Sequence, residues 1–209
     1  MSGDPLIKRA KQAVSALAQT TSNTLPAVQF FSGPNLRTEG MLFNPNEGAE
    51  PEELYNEISL ILTAIASLKD HVDIFCKRSK IPKIGDGIID SHREVALIHD
   101  LWNVDKHGSL NRPPRSGFTP MLRSVSRVVT LTASGENSVV SIFFNPISGM
   151  METQGEVQVL LSAQIVTEDG EFIADFRPTC EAALAIWLRE IEWLGIDIST
   201  KLLHEGWMA

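Results

Sequence analysis

EVQVLLSAQIVTEDGEFIADF, residues 156–176, is the stretch on which the fold class turns. β-Branched and aromatic residues recur in both halves, and Asp169-Gly170 lies between Val166 and Phe172. Asp and Gly accept the left-handed backbone of a tight turn, so the stretch reads as two strands joined by a hairpin. Upstream, SVSRVVTLTA (residues 124–133) and NSVVSIFF (residues 137–144) have the same character, punctuated by Gly135-Glu136 and Gly149. Four consecutive strands over residues 118–176 predict an antiparallel meander. Helical patterns lie on either side of it. That order predicts an α+β fold: a helical hairpin, a four-stranded antiparallel meander and a C-terminal helix, in a single domain over residues 1–209.

The helices announce themselves by spacing. Asp4-Pro5 supplies an N-cap and a first-turn proline, and Leu6, Ala10, Val14 and Leu17 follow at helical intervals, which predicts a helix over residues 5–19. AVQFF and EGMLF can pair as a small hairpin around Gly33-Pro34-Asn35. The helical hairpin is expected over residues 51–108. Its first arm starts at Pro51, with Glu52 and Glu53 at the positive end of the dipole. The stripe Leu54, Ile58, Ile61, Ile65, Leu68 and Val72 carries it to about Arg78, ahead of Pro82. Gly85-Asp86-Gly87 reads as the connection. Ser91 and Glu94 have capping-box spacing for the second arm, and Gly108 suits its C-terminal cap. Asn111, Pro113, Pro114 and Gly117 then make a loop, and the final helix is expected over residues 179–195.

Composition narrows the function. The chain is 43% hydrophobic and 21% charged with a net charge of −8, which argues against broad electrostatic capture of nucleic acid. Charge is unevenly spread, however: residues 69–127 carry eleven Lys/Arg against seven Asp/Glu, and the rest of the chain carries seven against nineteen. Cys76 and Cys180 lie in helical patterns and read as reduced core residues. No apolar run reaches the ~18–20 residues of a membrane span, and the N-terminus lacks the apolar core of a signal peptide. A cytoplasmic protein without a membrane partner is the expectation.

The polar residues concentrate in LIHDLWNVDKHG, residues 97–108. On a helical wheel Val95, Leu97, Ile98, Leu101, Trp102 and Val104 form an apolar side, while His92, His99, Asn103, Lys106 and His107 share a polar one, bordered by Arg93 and Asp100. The simple reading is a solvated helix face with cations at its C-terminal end. A metal site is disfavoured: His92 and His99 are about 10 Å apart along the axis, His99 and His107 about 12 Å, and neither HExxH nor CxxC is present. No cofactor-binding loop is expected either, since Gly85-Asp86-Gly87 lacks the Walker lysine and the dinucleotide spacing. Trp102, Trp187, Trp193 and Trp207 read more simply as core or interface anchors than as a base-stacking platform.

Asn103-Val104-Asp105-Lys106-His107-Gly108 resembles the tail of the R-N-x-x-x-H motif of HEPN domains, with Trp102 at the arginine position. The resemblance implies a metal-independent ribonuclease, with His107 moving the proton and Lys106 or Arg93 supplying the cation beside the phosphate, near Asn103. A wider likeness covers the DPLIKRAKQAVSAL opening, Leu68-Lys69-Asp70-His71 and the Asn103-x-Asp105-Lys106-His107 element. Their order is similar to that in a group of uncharacterised bacterial proteins, with Gly108 where that group has arginine. It implies a shared fold without a defined activity. The residues themselves favour a non-enzymatic interaction or dimerisation module, whose partner is open and could be a second copy. RNA is the partner only under the ribonuclease alternative.

Overall fold

The main sheet of this chain is assembled around one long strand. The computed structural model describes residues 5–19, 21–22, 28–32, 39–43, 50–132, 141–145, 147, 150–154 and 156–198. Its long strand β7 (Glu156–Val166) pairs antiparallel with β4 (Met121–Thr132) along one side. On β7's other side, β8 (Phe172–Asp175) pairs at Gln164–Val166 and the two-residue β1 (Thr21–Ser22) at Val159–Leu160. The sheet is therefore three strands wide where β8 or β1 lies beside β7, and two strands wide elsewhere along β7. Leu161, Ala163 and Ile165, alternate residues of β7, are buried on one face, the period-two pattern of a half-covered sheet. The Asp169-Gly170 turn forms as expected: Gly170 takes φ 88°, and Thr167 N donates to Glu171 O at 2.8 Å.

The four-stranded meander is corrected. The expected strand over residues 137–144 appears as β5 (Ser141–Asn145), but it pairs with β6 (Met150–Gln154) in a separate two-stranded ribbon. β5 is committed to that ribbon, and β4 pairs directly with β7 instead. A second ribbon joins β2 (Val28–Ser32) to β3 (Glu39–Phe43), the pairing anticipated for AVQFF and EGMLF. β4 itself is irregular near its start. Its register slips between Arg123 and Ser126, and Ser124 adopts φ 55°.

Helix α1 (Pro5–Gln19) matches its sequence pattern. The first arm of the hairpin is α2 (Pro51–Ala66) followed by α3 (Leu68–Arg78), with a joint at Ser67. Ser67 N donates to Thr63 O and His71 N donates to Ser67 O, so hydrogen bonding runs through the joint as one rod. Arg9 of α1 braces that point, donating to Ser67 Oγ at 2.6 Å and to Thr63 O at 3.1 Å.

The second arm differs more. The expected connection at Gly85-Asp86-Gly87 opens a short helix, α4 (Gly85–Ser91), which buries Ile88 and Ile89. Burial of that pair draws Ser91 into helical geometry, so the capping box with Glu94 does not form. His92, extended at φ −131°, is the N-cap of α5 (Arg93–His107) and makes no side-chain cap bond. At the far end Gly108 takes φ 72° and donates to Val104 O, the left-handed cap that its position implied. Helix α6 (Phe176–Trp193) begins three residues earlier than expected.

The core gathers Leu6, Ala10 and Ala13 of α1, Ile58, Ile61 and Ile65 of α2, the inner face of β7, and Phe176, Cys180, Ala183 and Trp187 of α6. Cys76 and Cys180 are buried free thiols. No described helix is long and apolar enough to cross a membrane.

Candidate functional site

Helix α5 is the centre of the polar chemistry because three helices, α2, α4 and α6, pack around it. Residues 95–101 are buried without a break, so the expected solvated face is largely absent from the first half of α5. The loop over residues 109–120 and the neighbouring helices cover groups that a wheel for an isolated helix places in water. His99 is 8% exposed and Asp100 1%.

His99 is held by a constraint that fixes its protonation. Asn103 Nδ2 lies 2.9 Å from His99 O and 2.9 Å from His99 Nδ1. A backbone carbonyl can only accept, so the Asn103 amide must present its NH2 group there. The same NH2 then faces Nδ1, which must accept and cannot carry a proton. The imidazole is therefore neutral, with its proton on Nε2. Burial, the charges of Arg112, Arg115 and Lys69, and this donor all act in that direction against the weaker pull of Asp100, and the pKa falls to about 4. The edge of the ring meets Trp102 at 5.8 Å between centroids, and Lys106 Nζ lies 4.9 Å from the Trp102 ring centroid on its face.

Asp100 ties α5 to the following loop. Its Oδ2 accepts from Ser116 N and Ser116 Oγ, each at 2.8 Å, while its buried Oδ1 has no partner among the described residues. One residue earlier, Arg115 reaches in another direction. It donates to Asp86 Oδ1 at 2.6 Å and to Asp90 Oδ1 at 3.0 Å, both on α4. Asp86 also meets Lys69 of α3 at 3.5 Å, and Lys69 meets Asp73 at 3.2 Å. Burial alone would lower the Lys69 pKa, but Asp73, Asp86 and Asp70 outweigh it and leave the ammonium held above its ordinary value. Burial likewise opposes ionisation of Asp86, and Arg115 with Lys69 overturns that effect and lowers its pKa. The result is a chain of ion pairs that fastens α3, α4 and the loop together.

Asp73 completes it. Its Oδ1 accepts from Gly85 N at 3.0 Å and so serves as the cap of α4 from another helix. A Cβ at Gly85 would lie 2.8 Å from Asp73 Oδ1 and 2.9 Å from Lys69 Cγ. Gly85→Ala is therefore expected to destabilise the protein by about 1–3 kcal/mol in urea unfolding. Gly87→Ala, where a Cβ meets nothing within 4 Å, is expected to be neutral or stabilising by up to about 1 kcal/mol. Equal stability of the two variants would remove Asp73 as the cap that requires a glycine.

The residues singled out from sequence are distributed as follows. Asn103 turns back toward His99, away from His107. Lys106 lies on Trp102. His107 is exposed in the last turn, and its side chain makes no hydrogen bond or ion pair among the described residues. Arg93 opens the helix that His107 closes, about 21 Å away along the axis, so it does not share a site with His107. His71 lies near Arg9 of α1, where burial first and Arg9 second lower its pKa. Arg189 of α6 donates to His92 Nε2 at 3.4 Å. Asp105 accepts from Ser59 Oγ of α2 at 2.9 Å. Among the described residues no group of three or more His, Cys, Asp or Glu side chains is placed to hold a metal ion.

The chain matches no protein-family model, no curated protein and no solved structure. Among the tryptophans, Trp187 is core, Trp102 borders the core and Trp193 is 88% exposed. Trp207 lies outside the described residues. Sequence reasoning missed the Lys69–Asp73–Asp86–Arg115 chain and the Asp100–Ser116 clasp, which join residues remote in sequence. It also passed over KRSKIPK, residues 77–83, although this run concentrates the charge of the basic segment and its composition alone could have marked it.

Proposed function

We propose that this protein is a non-enzymatic interaction module, in which the Asn103–His107 element is an architectural fingerprint. The observation that carries the reading is the inward commitment of α5. Asn103 is spent on locking His99, and Asp100 on clasping Ser116. The Asp100–Ser116 clasp holds the helix to the loop while the Asn103–His99 contact fixes side chains within α5, and together they present that loop and the helix end as a fixed surface.

The alternative, a HEPN-like metal-independent ribonuclease, draws on one observation: His107 is exposed with its imidazole uncommitted beside Lys106. The two readings separate in a single assay of RNA cleavage in EDTA by the wild type and His107→Ala. The interaction reading expects no cleavage above background from either protein. EDTA-resistant cleavage that falls by about 100-fold or more in His107→Ala would overturn it, since that is the scale of a lost acid–base group.

A further inference from the structure

The rod formed by α2 and α3 is polarised in charge. At its N-terminal end Glu50, Glu52 and Glu53 are exposed, and none forms an ion pair among the described residues. At its C-terminal end Lys77, Arg78, Lys80 and Lys83 are exposed and similarly unpaired. The end is held in place. Ile81 N donates to Cys76 O and Lys80 N donates to Lys77 O, the pair of bonds that closes a helix through a left-handed residue. Lys80 fills that left-handed position at φ 58°, where glycine is usual. The two ends are separated by about 40 Å for a rod of this length.

Apolar residues lie between the ends on the outer face. Leu60 is 54% exposed and Ile74 46%, whereas Ile58, Ile61 and Ile65 on the inner face are buried. Leu60 and Ile74 are 14 residues apart, close to four whole helical turns, so they share one face of the rod. They also stand seven residues before and seven residues after Ser67. Glu52 and Glu53 lie 15 and 14 residues before that same point, while Lys80 and Lys83 lie 13 and 16 after it.

We propose that this face pairs with a second copy of the chain, the two α2–α3 rods lying antiparallel about a two-fold axis near Ser67. The inference rests on the interaction-module reading and names its partner. Antiparallel pairing sets the acidic end of each rod against the basic end of the other, twice, and closes without generating a filament. Leu60 of one copy then meets Ile74 of its partner on each side of the axis. The opposing contribution comes from Arg9, which braces Ser67 and would bring two like charges toward the axis. A face about 40 Å long and 10 Å wide covers about 400 Å² per copy, roughly half a standard interface. The dimer is accordingly weak, and its specificity lies in the charged ends.

An acidic peptide or a nucleic-acid backbone would use the basic end alone. Self-pairing needs both ends, which a charge swap exposes. Sedimentation velocity of the full chain should show a concentration-dependent dimer at low salt that weakens at about 1 M salt, where the Debye length falls to about 3 Å. Lys80→Glu with Lys83→Glu, or Glu52→Lys with Glu53→Lys, should each raise the dimer dissociation constant about tenfold or more. All four changes together should restore it toward wild type, and Leu60→Asp should yield monomer with unchanged far-ultraviolet circular dichroism. A wild type that stays monomeric, or a four-fold variant no better than either pair, overturns the dimer. Such a result leaves the interaction reading to the cleavage assay, which is independent of assembly.

Discussion

Trp187→Ala is expected to lower the unfolding free energy by about 3–5 kcal/mol, the scale of a large aromatic side chain lost from a packed core. Trp187 is 1% exposed in α6, within the core that joins α1, α2, α5 and the sheet. Removing the indole leaves a cavity that rigid helices on several sides cannot collapse to fill. A second substitution isolates the ring nitrogen. Nε1 is buried and has no hydrogen-bond partner among the described residues, so the native protein already bears the desolvation of an unpaired donor, about 1–3 kcal/mol. Trp187→Phe discards that donor while keeping most of the apolar surface, and should lie within about 1 kcal/mol of wild type. Urea unfolding of the three proteins at neutral pH measures both differences. If Phe is as damaging as Ala, the shape of the indole dominates and the unpaired donor carries no weight.

Stability should also fall by about 3 kcal/mol between pH 7 and pH 4 through His99 alone. The folded-state pKa is about 4 against 6.5 for a free imidazole. Between those values the unfolded chain binds the proton and the folded chain does not, so stability rises with pH. The contribution is complete above about pH 6.5, is reduced by about 2 kcal/mol at pH 5, and is lost as pH falls through 4. His99→Gln removes the titration, and its stability should vary less over the same range. Asn103→Asp replaces the NH2 group at Nδ1 with a carboxylate that favours the protonated ring, so it should flatten the dependence from the folded side. Parallel pH profiles for wild type and His99→Gln would show that the imidazole is not the group responsible.

Local chemistry was the legible part of this fold. The left-handed turn at Gly170 and the cap at Gly108 follow from backbone freedom at single positions, and the sequence placed both. Helix α1 likewise follows from one apolar stripe. What escaped was each choice made between distant partners. β5 carries as good a strand pattern as β4, but only the three-dimensional competition assigns it to β6 instead of the sheet. Ser91 has capping chemistry, and burial of Ile88 and Ile89 overrides it. The polar face of α5 illustrates the same limit for the candidate site. A wheel sorts side chains by angle, and angle does not reveal that a loop returning 16 residues later will supply Ser116 to Asp100. His107 and Lys106 could be placed at a helix end from sequence, whereas the lock on His99 required coordinates.

The irregularity early in β4 bears on what could add to the edge of the sheet. The side of β4 away from β7 pairs with no described strand, and twelve residues is about twice the usual strand length. A flat edge of that reach would invite any other exposed strand to add to it and so seed aggregates. The slip between Arg123 and Ser126, with Ser124 turned left-handed, divides the edge into a short initial piece and a longer remainder that no longer lie flat together. Arg123 is exposed on the first piece, whereas Arg127 on the second is ion-paired to Glu57 of α2 at 2.7 Å, so an incoming strand would have to accommodate the break itself. A break of this kind makes the edge a poorer template for an added strand than a flat twelve-residue edge would be.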